Sequence, residues 1–448
     1  MNLLMCRRKK FLKLNMRIVA NILKTLFIIS LPILFIININ LFFIALIIYF
    51  TLFLFDKTSI ENKMFAILLN SFLYSGFIIK GLHIYDWILL VFFVVFIIRH
   101  QRLVIPEGTS FFTFLICILL CFVLSINSNS IVELSRYMLS FLAFILLFNF
   151  DIDNEYLIKV IYRVMIVNIY NAILVYLLYS KGLFNNYTTP FLASDVFLYV
   201  GEIRLNGFFS DPNKYFTFCL FLLMLIQLPI FIEKNNKFYN YVAIISCLIS
   251  MSRTSLICLL LFVIFKVLKE CRKYLSYRDY IVVIFITFVI SFIGLIIVFK
   301  TNFIEQIYVF SAKILGRSQT IKVNTSLTGD NRTIIWKKAI GLIVDKPLLG
   351  SGLLAYKGLL SYPTHNTVLS LLLDGGVVLL LSFVNFFKKL YYKDLIYEIF
   401  PLIIVPMFFL DLGNYRILFI AYALILKQIL INKHHEVWEK KNEYCNIN

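Results

Sequence analysis

Long apolar runs recur along almost the whole of this 448-residue chain, and that recurrence is what most restricts how it can fold. An α-helix needs ~20 mostly apolar residues to cross ~30 Å of hydrocarbon. Runs of this kind, some of them shorter, fall at roughly 21–38, 40–55, 64–80, 84–98, 110–126, 134–150 and 157–179, and again at roughly 214–232, 239–251, 254–268, 280–299, 366–387, 396–411 and 414–431. Barrel strands would show short alternating segments; these runs are continuous, so only helices can satisfy their backbone in lipid. Hydrophobic residues at 61% and aromatic residues at 17% agree. The expected fold is therefore all-α, a polytopic integral membrane helix bundle of about 12–14 spans. The chain reads as one membrane domain, 1–448, with a first external loop at 180–213, a large external loop at 300–366 carrying short amphipathic helices, and a cytoplasmic tail at 433–448.

Orientation follows from basic residues in short connections. The Arg7-Arg8-Lys9-Lys10 head, Arg99 to Arg102, Lys266 to Arg278 and Lys388-Lys389 with Lys393 all fall on one side when every run is a span, and that side is expected to be cytoplasmic. Both termini are then inside. The loop from Ser125 to Glu133 holds no Lys or Arg and falls outside, whereas the acidic Asp151 to Glu155 connection falls inside and lends no support. The first run has no small-residue cleavage site behind it and reads as a retained span. The net charge of +19 is assigned mostly to cytoplasmic anchoring, so the lipid bilayer, and not nucleic acid, is the expected polar partner. Cys117, Cys121, Cys219, Cys247 and Cys258 lie in or at the ends of apolar runs, so no disulfide framework is visible, and no Cys/His spacing suits zinc.

The longest stretch without a spanning run extends from Thr301 to Asn366 and ends in Tyr362-Pro363-Thr364-His365-Asn366. Within it, Asp330-Asn331 looks like a helix start and Asp345-Lys346-Pro347 like its end. Trp336, Ile340 and Val344 continue from Arg332 at steps of four, which on periodicity alone describes an interfacial helix with Trp336 at headgroup depth and Lys337-Lys338 in water. Arg204, Arg253 and Arg332 each read, taken singly, as ordinary headgroup or snorkelling residues. The chemistry they offer together is sharper. An imidazole titrates near neutrality and can take a proton from a sugar hydroxyl, and guanidinium groups can hold a diphosphate bidentately, which makes His365 a candidate base and the three arginines candidate anion ligands. Asn366 either orients that imidazole and touches substrate or caps the helix beginning at Thr367.

Five stretches carry a family likeness: Arg204 with Gly207 and Asp211-Pro212-Asn213; Ser250-Met251-Ser252-Arg253; Arg332-Thr333-Ile334-Ile335-Trp336; Pro347 with Gly350-Ser351-Gly352; and Tyr362 to Asn366 with Gly375-Gly376. In their order and spacing, over roughly residues 200–390, the chain resembles the O-antigen ligase and Wzy-type O-antigen polymerase family. The resemblance implies a GT-C-like membrane enzyme without cofactor or metal, an inverting glycosyltransferase acting on a polyprenyl-diphosphate-linked oligosaccharide. It implies His365 as general base, Arg204, Arg253 and Arg332 as diphosphate anchors with Asn366 beside them, and a site on the outer face of a bacterial cytoplasmic membrane. In a polymerase the acceptor is another lipid-linked repeat unit, with a chain-length regulator as a further partner; in a ligase it is the lipid A core.

Three rival classes are weighed. A lipid-linked oligosaccharide flippase would line a central path with polar residues inside the spans, whereas the charges here gather at span ends and in loops. A metal-dependent lipid-linked glycosyltransferase needs an outward carboxylate pair, and the Asp151-Ile152-Asp153 motif is expected inside. A structural membrane scaffold is the third. Polymerisation is the favoured reading.

Overall fold

The computed structural model describes residues 2–79, 81–99, 103–125, 129–180, 205–209, 211–227, 237–250, 253–272, 274, 282, 329–360, 362–388, 402–403, 405–408, 410, 412–413 and 415–430. The tail at 433–448 lies outside the described residues, as do all of the expected span at 280–299 except residue 282, most of the expected span at 396–411, most of the first external loop and residues 300–328 of the large one. What is described is almost entirely helical, interrupted by one two-stranded antiparallel hairpin, Ile78–Ile79 with Leu82–His83. The protein is an all-α polytopic membrane protein. Among the described residues, four helical stretches are long and apolar enough to cross a membrane, Val19–Ile37, Ser130–Asn149, Asn154–Leu178 and Thr367–Phe386, and shorter apolar helices accompany them.

Two compact units form. The first holds Met1–Ile98, Phe150–Cys219 and Asn235–Met251. Its helices are α1 (Asn2–Ile37), α2 (Ile39–Thr51), α3 (Ile60–Ser71), α4 (Ile84–Arg99), α7 (Asn154–Ser180), the first part of α8 (Pro212–Ile226) and α9 (Lys237–Ile249). The basic head and the first span form one continuous helix. It stops at Asn38, whose side-chain oxygen accepts the Asn40 and Leu41 N–H groups at 2.8 and 3.3 Å and so starts α2 in antiparallel return. The expected span at 64–80 is shorter than its hydropathy, because α3 tightens into a 3₁₀ turn at Phe72–Tyr74 and gives way to the hairpin. An aromatic cluster fills the space between: Phe42 stacks on Phe77 at 4.8 Å, and Phe35 and Phe208 meet Phe42 at 5.5 and 5.9 Å.

The second unit holds Arg99–Asn149, Leu220–Lys234 and Ser252–Asn448. Its helices are α5 (Gly108–Val123), α6 (Ser130–Asn149), α10 (Arg253–Cys271), α11 (Gly329–Asp345), α12 (Ala355–Leu359), α13 (Thr367–Phe386) and α14 (residues 416–430). At one end of α13, Phe386 sits among Phe144, Phe114 and Tyr422 at 5.1, 5.6 and 5.1 Å, and the Tyr422 hydroxyl donates to the Phe386 carbonyl at 2.6 Å. In its middle α13 is broken, Gly376 adopting φ 63° and ψ −161°. The segment Pro347–Gly352 lies in the break. The Ser351 and Gly352 N–H groups donate to the Leu373 and Asp374 carbonyls at 2.8 Å each, and the Val377 N–H donates to the Pro347 carbonyl at 2.8 Å. Asp374, 5% exposed, accepts the Ala355 N–H at 3.1 Å through its carboxylate.

That splice sets which side of α11 is buried. Ala339 packs with Ala355, Leu360 and Leu373, flanked by Ile335, Leu342 and Ile343. The interfacial stripe expected from periodicity, Trp336, Ile340 and Val344, lies beside this packed face, with Ile340 and Val344 51% and 71% exposed. A small residue at 339 lets α11 approach α13 closely, and the outward apolar residues remain for the membrane surface.

The glycines of the splice leave no room for a side chain. A Cβ at Gly350, already at φ +61°, would stand 2.6 Å from the Asp374 carbonyl carbon and the Gly375 nitrogen. Gly350→Ala is expected to destabilise the folded protein by roughly 2–3 kcal/mol, read as a lower midpoint of thermal unfolding in detergent. Gly341→Ala on the open face of α11, where nothing lies within 4 Å, should be neutral or stabilising by up to ~1 kcal/mol.

Candidate active site

Asn366 starts α13. Its backbone is extended at φ −149° and ψ 115°, and its Oδ1 accepts the Leu369 N–H at 3.0 Å, as an N-cap requires. Its Nδ2 donates to the Phe408 carbonyl at 3.0 Å, so both ends of the amide are engaged, and the residue is buried. Of the two roles open to Asn366 in the sequence, the cap is the one whose bonds are formed. Thr367 extends the attachment: its N–H and its hydroxyl donate to the Leu410 carbonyl at 3.1 and 2.7 Å, and the hydroxyl accepts the Leu412 N–H at 2.8 Å.

His365 stands immediately before this cap, exposed, with φ +49°. A left-handed backbone costs a non-glycine residue about 1–2 kcal/mol, and histidine is among the residues found there more often than most. The flanking bonds hold it. Buried Thr364 donates from its hydroxyl to the Asn366 carbonyl at 3.2 Å, and its own carbonyl accepts the indole N–H of Trp336 at 2.8 Å. Trp336 therefore does more than rest at headgroup depth: it ties α11 to the chain just behind the histidine. The imidazole is presented on a main chain fixed by α11 on one side and by residues 408–412 on the other.

Arg332 belongs to α11, one helical turn ahead of Trp336, and Arg253 is the first residue of α10, both in the second unit. The side chains of both lie outside what is described, and Arg204 lies outside the described residues altogether. The turn that follows Arg204 belongs to the first unit, where the Gly76 N–H donates to the Phe208 carbonyl at 2.7 Å. The structure therefore gathers His365, Asn366 and the helix that carries Arg332. Among the described residues, no group of three or more His, Cys, Asp or Glu is placed to hold a metal ion.

Two buried charges among the described residues of the second unit escaped the sequence reasoning. Asp374 lies at the break of α13, and Arg416, 5% exposed, opens α14 four residues beyond the Leu412 contact with Thr367. The available signal was their position inside apolar runs, where an ionisable side chain is costly unless it has work to do.

Residues 238–384 match the family model described as O-antigen ligase. No curated protein matches the chain. The matched stretch takes in Arg253, Arg332, Trp336, the Gly350–Gly352 turn and His365, and leaves out Arg204. It agrees over that stretch with the family resemblance carried by the motifs, and it supports glycan processing of the O-antigen ligase and polymerase type by a glycosyltransferase-like membrane enzyme.

The two attachments of the histidine segment can be separated. Asn366→Ala removes the cap and the bond to Phe408 and should cost about 1–2 kcal/mol of stability, measured by thermal unfolding in detergent. Trp336→Phe keeps an aromatic ring but removes the donor to the Thr364 carbonyl; it should cost only ~1 kcal/mol of stability yet lower glycan transfer about tenfold, because the imidazole loses its fixed position.

Proposed function

We propose that the protein polymerises polyprenyl-diphosphate-linked oligosaccharide repeat units into O-antigen or capsular-type polysaccharide. It does so at the outer face of the bacterial cytoplasmic membrane, with both termini cytoplasmic, as a metal-independent inverting glycosyltransferase. The observation that carries this reading is the exposed imidazole of His365, in the stretch that matches the O-antigen ligase family model and between the Trp336–Thr364 and Asn366–Phe408 bonds.

The chemistry is a direct displacement. The acceptor hydroxyl oxygen attacks the anomeric carbon of the donor while His365 takes its proton, and the bond from that carbon to the diphosphate oxygen breaks with inversion. Polyprenyl diphosphate leaves, its developing charge met by Arg332 and Arg253, with Arg204 as a third anchor. Proton transfer to a positioned base supplies ~10²- to 10⁴-fold and stabilisation of the leaving diphosphate a comparable amount. The lipid-linked donor, the lipid-linked acceptor and a chain-length regulator are the partners of this reading.

The description of the matching family favours a second reading, in which the same chemistry transfers finished glycan to the lipid A core. Deletion separates the two. A polymerase deletion should abolish long glycan and leave single repeats on the carrier or final acceptor, whereas loss of all attached glycan would establish the ligase.

Substitution tests the assigned roles. His365→Ala should lower turnover by ~10²-fold or more with donor binding near normal, since the imidazole acts on the acceptor proton. Arg253→Ala and Arg332→Ala should weaken donor binding as well, with only partial rescue by Lys, which lacks the bidentate fork. Full activity of His365→Ala at normal protein levels would remove the histidine from the chemistry, and dispensable arginines would remove the anchors.

A further inference from the structure

A second polar site lies wholly within the first unit. Three helix ends converge there: the start of the spanning part of α1, the chain leaving α2, and the start of α7. They enclose a cavity of about 400 Å³ that carries charges of both signs. Its base is fixed by paired groups. Lys24, 1% exposed, is bonded to Asp56, and the Tyr156 hydroxyl donates to the other oxygen of that carboxylate at 3.0 Å. Asp153 caps α7, accepting the Glu155 and Tyr156 N–H groups at 2.7 and 3.1 Å, and its own N–H donates to the Asn62 side chain at 2.9 Å. Arg163 lies over the Phe53 ring at 5.9 Å, with Lys24 over the same ring at 4.5 Å.

With Lys24 bonded to Asp56, the lining also carries Lys57, Lys159 and Arg163 together with Asp153 and Glu155. The Lys159–Glu155 pair is loose, 4.0 Å apart with both side chains well exposed, so a ligand can compete for either member. Depth narrows the ligand. Asn21 and Lys159 both line the cavity and stand within about two turns of where Val19–Ile37 and Asn154–Leu178 begin, which is the level of lipid headgroups. Further along the same helices the exposed side chains include Leu26 and Ile166, apolar surface against which acyl chains can lie.

We propose that this cavity binds the headgroup of an ethanolamine phospholipid, its phosphate against Lys57, Lys159 and Arg163 and its primary ammonium against Asp153 and Glu155. A glycerol headgroup would offer its phosphate to the cations but no ammonium to the carboxylates. A choline headgroup offers no N–H to a carboxylate and calls for an aromatic cage, and the Phe53 ring here is already covered by Lys24 and Arg163. The site is independent of the glycosyl-transfer reading, since none of its residues takes part in that chemistry.

Native mass spectrometry of the full chain, purified in detergent and stripped of lipid, tests this. Ethanolamine, glycerol and choline phospholipids with identical acyl chains are titrated separately, with glycerophosphoethanolamine as the chain-free probe. The ethanolamine lipid should bind about tenfold more tightly than the other two, and Lys57→Gln with Lys159→Gln should lower its affinity about tenfold. Glu155→Gln, at an exposed position, should erase the preference over the glycerol lipid without weakening the latter. Equal retention of all three lipids, unchanged affinity in the double variant, or glycerophosphoethanolamine binding as tightly as the lipid would each overturn the proposal.

Discussion

A helix broken in the middle of a membrane domain frees backbone groups that lipid cannot satisfy. Here the partners come from one short segment: Pro347–Gly352 supplies donors to the Leu373 and Asp374 carbonyls and an acceptor to the Val377 N–H. Much of the second unit depends on that exchange. It positions Leu353, whose N–H donates to the Cys121 carbonyl at 3.1 Å and whose carbonyl accepts the Ser125 hydroxyl at 2.8 Å, so α5 is drawn into the same arrangement. It also seats Ala339 of α11 against Leu373 of α13.

The candidate site inherits its rigidity from this arrangement. With α11 fixed on α13, the indole of Trp336 can reach the Thr364 carbonyl, and the histidine that follows is held in a left-handed conformation that an unconstrained loop would leave. Strain of this kind persists when neighbouring bonds over-determine it, and the Asn366 and Thr367 bonds to residues 408–412 do so from the other side. In the proposed reaction, a base held in this way would lose little entropy when an acceptor hydroxyl arrives, which is the condition under which proton transfer contributes its full factor.

Charge is distributed along the helices with the same economy. Lys24 is buried against Asp56 and an aromatic ring near one end of the first unit, where Lys57, Lys159 and the carboxylates of Asp153 and Glu155 also gather. Among the described residues of the second unit, Asp374 and Arg416 are the charges carried into buried surroundings, one at the helix break and one at the start of α14. Each lies where helical hydrogen bonding is interrupted or begins, which is where polar backbone already accompanies the chain into the apolar region.

Sequence alone determined the features that depend on neighbours along the chain. Hydropathy located the stretches Val19–Ile37, Ser130–Asn149, Asn154–Leu178 and Thr367–Phe386 to within a few residues, because a helix in lipid must satisfy its own backbone and so announces itself in one dimension. The cap at Asn366 was legible for the same reason, its partner Leu369 being three residues away. Tertiary structure decided the rest. The face of α11 that packs inward, Ile335, Ala339 and Ile343, was not announced by the interfacial stripe of Trp336, Ile340 and Val344, and the indole of Trp336 found the Thr364 carbonyl 28 residues on. The second bond of Asn366 spans 42 residues, and that of Ser125 to Leu353 spans 228. Hydrophobic period tells how far round a helix is apolar, but which part of that arc meets a neighbour depends on where a small residue permits close approach, and that is fixed only when distant segments meet.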